Sequence, residues 1–526
     1  MTISIRAAFL FLIFSIILFG CESRPSKTVS SDTVIAAIST EPHRLNPILV
    51  SDLISSSISK LIFKGLTKNA EDASIVGDLA QSWDIKDDGR ELVFYLKKGI
   101  IWHDGKEFTS EDVVFTYRLA VSPDIPTPHS SNFGPVKEVI AVDSHIVRVL
   151  YSEPYGSALE SWSIGIIPKH LLENKDINSN AFDRNPIGTG PYTLKEWVSG
   201  QFIRLEAFKQ NNQDTPKIKK LILKIIPDTT TQLMEAKTAK IDIMEATPEQ
   251  YHSELDSTEI ARHFNKYRAG SFRYGFLGFN LLDSRFQDRR FRQAISHAIN
   301  KEAIIKTVLR DNGSISTGPY PPHVWYASQN APYFEYNPEK ARQLLKLLGW
   351  SADRDNILRK DGVPLSFTIL TNFESKERIR TAQIIQSNLK DIGIKTNINT
   401  LEWQAFRHNA ISKHQFEVIV LSRAYLWDPD IYELWHSSKT KEGEWNFLSY
   451  RNKEVDYLLE KGRKTLDFEK RKRIYHKLHE TLAHEQACIF LYNADLLFIA
   501  HKRIKGIKPT PLGIFHNIAE WDIGTW

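Results

Sequence analysis

No single hydrophobic core can hold a chain of this length. With 526 residues, the chain predicts about three domains or sub-domains of ordinary size. Hydrophobic residues make up 42% of it and charged residues 25%, which is the balance of a folded protein rather than a disordered one. The 12 tryptophans are enough to line a large aromatic pocket, although most aromatic side chains in any protein belong to core.

Charge and cysteine content exclude two classes of protein. The formal net charge of +5 is small for this size, and Lys and Arg form no basic stripe of the kind that follows phosphates, so nucleic-acid binding is disfavoured. The two cysteines, Cys21 and Cys488, cannot form a disulfide framework. Cys488 lies in an apolar run and is expected to be a small buried hydrophobe.

The amino terminus has the pattern of an exported protein. An uncharged apolar run from Ala7 to Gly20 is too short for a comfortable membrane span and has the proportions of a signal-peptide core. It leads into Cys21, and the sequence LFGC at 18–21 resembles a bacterial lipobox, in which the cysteine is lipidated. Phe19 is bulkier than usual at its position. The alternative is an ordinary signal peptide or an uncleaved anchor with an incidental cysteine.

The segment after Cys21 fits the lipoprotein prediction. Residues 22–32 are polar and typical of a flexible tether. No later run reaches the roughly 18 apolar residues that span a bilayer. The body is therefore expected outside the cytoplasm, in the periplasm or at the cell surface, held to a membrane by the lipid on Cys21.

Strand and helix patterns alternate along the body. Strands are predicted at 33–38, 365–370, 394–398 and 416–421, with a β-hairpin inside 84–101 around the turn at Asp87–Gly89. Predicted helices cover 53–66, a segment that begins at 110, 289–309, the stretch from Pro338 to Gly349 with Asn337 as N-cap, and 377–389. The alternation predicts an α/β or mixed fold.

Catalytic motifs are missing from the sequence. His479 and His484 lie five residues apart on a predicted helix, so they point in different directions and cannot hold one metal ion as a zinc-protease pair does. Gly188 and Gly190 precede Pro191 and not a third glycine, which predicts a turn rather than a dinucleotide loop. The sequence thus predicts neither an enzyme nor a cofactor nor a metal site.

An ordered series of short blocks gives the most specific signal. They are Leu45–Pro47, Leu79–Trp83, Asp87–Gly89, Phe94–Gly99, His103–Gly105, Phe108–Val113, Asn185–Tyr192, Gly278–Asn280, Arg292–Ile295, Tyr336–Ala341, Asp428–Asp430 and Asn452–Asp456. In this order, over residues 33–526, they resemble the family 5 extracellular solute-binding proteins, the dipeptide-, oligopeptide- and nickel-binding group that serves ABC importers. Most of these residues are expected to be scaffold, since several blocks are turns.

The resemblance implies an α/β fold of two lobes that close about a hinge over a ligand, with an additional domain in the first lobe. The implied division is a lipoprotein signal peptide at 1–20, a lipidated cysteine and tether at 21–32, a first lobe from 33–64, 186–276 and 497–526, the additional domain at 65–185 and the second lobe at 277–496. A monomer is expected.

The resemblance also implies where the ligand binds. It points to Ser51 and Asp52 after the first block, to Asn372 at a strand end, to Trp403, and to the loop that contains Arg423, Tyr425, Trp427 and Asp428. The tryptophans would give flat apolar walls or be core, and Arg423 would pair a carboxylate or be solvated.

One position in that loop departs from the family. Peptide-binding members have an aspartate four residues before the proline that matches Pro429, where it pairs the ligand's ammonium group, and this chain has Tyr425 there. Asp428 would replace it, because a buried ammonium needs an anion within hydrogen-bond reach. The alternative is that Asp428 caps the loop before Pro429.

Taken together, these features predict a substrate-binding lipoprotein of an ABC importer that binds a short peptide or peptide-like solute. The partners implied are the permease subunits and, through Cys21, the membrane. The alternatives are a nickel complex, an opine or a sugar as ligand, a secreted hydrolase, or a non-transport role such as a chaperone-like or signalling lipoprotein.

Overall fold

The computed structural model describes residues 32–178, 181–209, 215–254, 258–424 and 427–524. Its strands, numbered β1 to β22 in chain order, are Thr33–Ile38, Thr67–Asn69, Ile75–Gly77, Ala80–Lys86, Glu91–Leu96, Val136–Asp143, Ile146–Tyr151, Tyr192–Val198, Phe202–Ala207, Lys220–Ile225, Ile243–Glu245, Phe264–Phe279, Gly313–Ile315, Ser351–Ala352, Leu358–Lys360, Val363–Pro364, Ser366–Asn372, Lys395–Leu401, Val418–Ala424, Cys488–His501, Ile504–Lys505 and Asp522–Ile523.

Its α-helices, numbered α1 to α16 in the same way, are Leu53–Ile62, Ser110–Ala120, Ala158–Ser161, Lys169–Leu172, Ala181–Arg184, Thr229–Lys237, Thr258–His263, Ser284–Gln287, Arg289–Ala298, Lys301–Val308, Pro338–Leu347, Lys376–Asp391, Trp403–Phe406, Tyr432–Trp435, Lys453–Lys464 and Phe468–Glu485. Over the ranges that the structure describes, none of the helices is long and apolar enough to cross a membrane.

Two long strands join the halves of the largest sheet. Its path is β18-β17-β19-β12-β20-β11-β1-β10-β9-β8, with β13 also paired to β20. β12 has 16 residues and β20 has 14, and they pair antiparallel from Phe264 opposite His501 to Gly278 opposite Cys488. The strands on either side of this pair belong to different hydrophobic cores, so β12 and β20 are the connection between them.

The buried hydrophobic residues form four clusters in the described ranges. The largest, apart from Ala73, runs from Phe272 to Ala494, and we call this part the second lobe. Another contains residues from both ends, from Val34 to Trp521, and with a small cluster beside it forms the first lobe. The additional domain has its own core within residues 66–166. The residue boundaries implied by the resemblance stay a prediction.

A buried ion pair links distant parts of the chain within the first lobe. Arg503 Nε and Nη2 donate to the carboxylate of Asp242 at 2.8 and 2.6 Å, and Nη2 also donates to the carbonyl of Thr33 at 2.7 Å. The same carboxylate accepts the backbone N–H of Ile35 at 2.8 Å. About a tenth of each charged side chain is exposed. Strand β1 is thus tied to residues far along the chain.

Several sequence predictions are confirmed by the structure. Strand β1 covers 33–38, and β4 and β5 form the predicted hairpin, with Gly89 at φ +90° in its turn. Asn337 Oδ1 accepts the N–H of Lys340 at 3.0 Å and caps α11, and Gly349 at φ +88° follows its end. Cys488 is buried, as expected.

Two predicted helices were wrong in extent. The helix predicted over 289–309 is two helices, α9 and α10, because Ile299 is extended and the Asn300 side chain accepts the N–H of Ala303 at 2.8 Å, which starts a new helix. The helix predicted over 53–66 stops at Ile62. Its last carbonyl accepts the N–H of Gly190 at 2.7 Å, so the glycine turn at 188–190 packs against the helix end.

Candidate functional site

Ser51 and Asp52 lie at the start of α1 in the first lobe. Asp52 is the N-cap: its carboxylate accepts the N–H of Ser55 at 2.8 Å and the hydroxyl of Ser55 at 2.6 Å. Ser51 is exposed beside it. The bonds of Asp52 shape the helix start, and whether either side chain contacts a ligand stays a prediction.

The structure brings Asn372 and Trp403 together. Glu374 joins them, since its two carboxylate oxygens accept the Asn372 side-chain amide at 2.8 Å and the Trp403 backbone N–H at 2.9 Å. Arg378, in the first turn of α12, donates to Asn372 Oδ1 at 2.7 Å, and its guanidinium carbon lies 5.7 Å from the centre of the Trp403 ring. We call these four residues the strand-end cluster. They form a small polar surface with one aromatic wall, where β17 ends.

Arg423 lies among aromatic side chains at the end of β19. Its guanidinium carbon is 4.8 Å from the ring centre of Phe447 and 5.6 Å from that of Phe276, which is cation–π geometry. Nη2 donates to the carbonyl of Trp445 at 3.3 Å. The side chain is half-buried, and a carboxylate partner stays a prediction for Arg423.

Asp428 has an internal cation as its partner. Arg471 Nη2 donates to both of its carboxylate oxygens, at 2.9 and 3.0 Å, and only 8% of the Arg471 side chain is exposed. Asp428 Oδ1 also accepts the N–H of Asp430 at 2.9 Å, which is the loop-capping alternative foreseen from the sequence. Trp427, next to it, packs against Phe272 with ring centres 3.9 Å apart. The pairing of Asp428 with a ligand ammonium stays an untested prediction.

Tyr425 and Cys21, two further predicted residues, lie outside the described residues. The roles proposed for Tyr425 in the ligand loop and for Cys21 as the lipidated residue therefore stay predictions.

Some residues of this region were missed from the sequence. Glu374 and Arg378 complete the strand-end cluster, yet they sit among other charged residues at the start of α12, and their spacing gives no signal. Phe373 and Trp445 are aromatic side chains with 54% and 51% of their surface exposed. Exposed large aromatics next to donors are typical of a binding surface, but a sequence does not show exposure.

Glu160, on α3 in the additional domain, is a buried carboxyl group near Asp428. Burial and the negative charge of Asp428 raise the pKa of Glu160 to about 7, against the opposing bonds from Asn69 and Ser163. Asn69 Nδ2 donates to Glu160 Oε1 at 3.2 Å. Near neutral pH, Glu160 therefore changes charge at the face of the additional domain that meets Asp428.

The raised pKa predicts a pH-dependent stability. The folded protein holds a proton on Glu160 that the unfolded chain releases near its ordinary value of 4.5, so stability falls as the pH rises from about 4.5 to about 7. Urea unfolding at pH 5 and pH 8 should show this fall, and Glu160→Gln should reduce it by about 1–3 kcal/mol, given ~1.4 kcal/mol per pKa unit. The same pH slope in both proteins would contradict the assignment.

The two histidines considered as a metal-binding pair differ in their exposure to solvent. His479 is buried, its Nδ1 accepts the N–H of Ser328 at 3.0 Å, and burial lowers the pKa of His479 to about 3. His484 is exposed. Among the residues placed by the structure, no group of three or more His, Cys, Asp or Glu side chains could hold a metal ion.

Similarity to known proteins extends over nearly the whole chain. Residues 74–444 match the family model described as bacterial extracellular solute-binding proteins, family 5 Middle. The oligopeptide-binding protein AppA of Bacillus subtilis is 30% identical over 536 aligned residues, which cover 97% of each chain.

Two solved structures are similar in fold and in sequence. NikZ from Campylobacter jejuni, in complex with Ni(L-His), is 31% identical with a TM-score of 0.79, over 94% of this chain and 100% of that one. AppA from Bacillus subtilis, in complex with a nonapeptide, is 30% identical with a TM-score of 0.75, over 94% and 99%.

Proposed function

This chain belongs to the bacterial extracellular solute-binding proteins of family 5, and from that premise we propose that it is the lipid-anchored substrate-binding protein of an ABC importer that takes up a short peptide or peptide-like solute. Members of the family bind their ligands outside the cytoplasm and deliver them to ABC permeases. The observation that carries the proposal is the match to an oligopeptide-binding protein along almost the full length of both chains.

The architecture agrees with that premise. The two-lobed α/β fold of periplasmic binding proteins, expected from the sequence, is confirmed by the solved relatives. The relatives are solute-binding proteins and not enzymes, so they lend no support to the secreted hydrolase considered from the sequence. They do not bear on the non-transport alternative.

The strand-end cluster supports a ligand with both polar and apolar parts. Trp403 offers an apolar face, and Arg378 holds guanidinium N–H groups beyond the one that bonds Asn372. Desolvation lowers the pKa of Arg378, and an anionic group beside a half-buried guanidinium would offset that cost. A peptide carboxylate or carbonyl is such a group.

Calorimetry on protein freed of endogenous solute tests the ligand class. The titrants are trialanine, its N-acetylated form, its carboxyl-terminal amide, and a mixture of Ni²⁺ with L-histidine. Saturable binding of trialanine supports the peptide proposal, and mass spectrometry of any solute that co-purifies gives an independent answer. Absence of binding by every peptide form would reject it.

A metal–amino acid complex is the second candidate ligand. The specific support is NikZ, which is as similar to this chain as AppA and is solved with Ni(L-His). Binding of the nickel–histidine mixture, without binding of Ni²⁺ alone or of peptides, would favour this candidate.

The anchor is tested separately at Cys21. We expect Cys21→Ser to move the protein from the membrane fraction to the soluble fraction, because acyl chains on the cysteine would be the attachment. Fractionation after a high-salt wash measures this, and Cys488→Ser is the matched control, since Cys488 is buried in the second lobe. A Cys21→Ser protein that stays with the membrane would rule out the lipoprotein proposal.

A further inference from the structure

A short segment of the additional domain, residues 153–157, contacts the second lobe. The backbone N–H of Gly156 donates to the carbonyl of Arg463 at 2.5 Å, and Lys464 Nζ lies 2.9 Å from the Glu153 carboxylate. A Cβ atom on Gly156 would lie 2.8 Å from Arg471 Nε and from the carbonyl of Gly462, so only glycine permits this approach. The segment 153–157 therefore sits directly on α15 and α16.

Ser157 makes the buried polar contact of this segment. Its hydroxyl donates to Asp428 Oδ1 at 2.9 Å and accepts from Arg471 Nη2 at 3.2 Å. Ser157 is 6% exposed and Arg471 is 7% exposed. Asp428 and Arg471 both belong to the second lobe, so their charges neutralise each other within it. Ser157 is the member of this triad, Ser157–Asp428–Arg471, that comes from the additional domain.

The triad is connected to the segment that follows Arg423 in the chain. Asp428 bonds the N–H of Asp430, and the next carbonyl, of Pro429, accepts the hydroxyl of the buried Tyr320 at 2.7 Å. Trp427 precedes Asp428 and packs on Phe272. A contact at Asp428 thus fixes where Trp427 and the end of this segment lie relative to the additional domain.

A second contact runs between the same two parts. Ala73, in the additional domain between β2 and β3, is 3% exposed and belongs to the hydrophobic cluster of the second lobe. Its backbone is in the left-handed region at φ +64°. The surface between these parts therefore has both an apolar and a hydrogen-bonded contact, and both would be lost if they moved apart.

We propose that Ser157 is a positioning residue for ligand capture: its hydroxyl, acting through Asp428, holds the second lobe against the additional domain in the closed arrangement. This rests on the proposed function, in which closure encloses a solute. Because closure is an equilibrium, a contact made only when closed raises the closed population and slows release. The pair Asp428–Arg471 stays intact in the open arrangement, where water replaces the hydroxyl.

The first test needs no ligand. Spin labels are placed at Lys137→Cys in the additional domain and Lys346→Cys in the second lobe, both exposed positions, in the chain with Cys21→Ser. Distances are measured with Ser157, Ser157→Ala and Ser157→Thr. We expect Ser157→Ala to raise the ratio of long to short distances about 3- to 30-fold, as loss of a charge-assisted bond would, and Ser157→Thr to restore the starting distribution.

Ser161→Ala is the matched control. This hydroxyl, at the end of α3, donates to the carbonyls of Asn132 and Ser157, and its hydrogen bonds, including one with Tyr155, stay within the additional domain. It should leave the distances unchanged. Identical distributions for Ser157 and Ser157→Ala, with or without a melting temperature change, would overturn the proposal, because a purely structural serine alters stability and not the interlobe distance.

The second test uses trialanine as the probe. Ser157→Ala should raise its dissociation rate about 3- to 30-fold with little change in the association rate, and an unchanged dissociation rate would count against the proposal. If trialanine binds neither protein, the peptide assignment fails, and the label distances alone decide the role of Ser157. The two failures are therefore distinguishable.

Discussion

Arg503→Met is expected to destabilise the first lobe by about 3–5 kcal/mol. The substitution removes a guanidinium that bonds the Asp242 carboxylate at 2.6 and 2.8 Å and the Thr33 carbonyl at 2.7 Å. It leaves a buried carboxylate with only the Ile35 N–H as a bond donor among these contacts. Breaking one side of a buried ion pair costs this much, because the remaining charge is uncompensated. Urea unfolding followed by tryptophan fluorescence measures the loss.

Two controls make that result specific. Lys217→Met breaks an ion pair with Asp522 in which both side chains are more than half exposed, and it should change stability by less than about 1 kcal/mol. The double variant Arg503→Met with Asp242→Leu removes both charges and should recover most of the loss. A double variant that is no more stable than Arg503→Met would show that the hydrogen bonds, and not the unpaired charge, dominate.

Arg378→Met should weaken binding of trialanine by roughly 30-fold or more, which corresponds to ~2 kcal/mol or above. The reason is that the guanidinium is fixed by Asn372 beside the Trp403 ring, with its other N–H groups available to a carboxylate. The carboxyl-terminal amide of trialanine should be affected far less, since it has no charge to pair. Isothermal titration calorimetry on both peptides gives the comparison.

Arg380→Met is the control for that experiment. Arg380 is exposed on the same helix, α12, so its replacement changes net charge equally without changing the strand-end cluster. Equal losses for the free peptide and its amide in Arg378→Met would mean that Arg378 acts by shaping Asn372 and Trp403. Equal losses in both arginine variants would point to long-range electrostatics.

Much of the fold could be predicted because its local signals agree with its tertiary structure. The Asn337–Pro338 start of α11 and the Asp87–Gly89 turn are cases in which cap and turn chemistry set the backbone alone. The split of 289–309 could not be predicted from hydrophobic period, because both helices bury the same repeating face and only the capping bond of Asn300 marks the break.

The site was harder to predict for a different reason. Asn372 and Trp403 were assigned to the ligand site by resemblance to the family rather than by any spacing, and that role stays a prediction, although the structure places the two residues close together. The partner of Asp428 is Arg471, more than forty residues away on α16, and no pattern in the sequence connects the two. Packing decides which charges are buried together. The sequence therefore left two alternatives open for Asp428, a ligand ammonium or capping of the loop, without deciding between them.

Strand β20 determines the order in which this protein can fold as it is made. The additional domain, with a core within residues 66–166, is complete soon after it leaves the ribosome. Neither lobe is, because β20 supplies residues to the cores of both, and the first lobe also needs Trp521. In the first lobe, the hydrogen bond from Arg503 to the Thr33 carbonyl joins residues 470 positions apart. The first strand synthesised can pair with β10 and β11 once residues 220–245 have been made, but its tie to Arg503 forms only near the end of translation, so the first lobe stays incomplete until then.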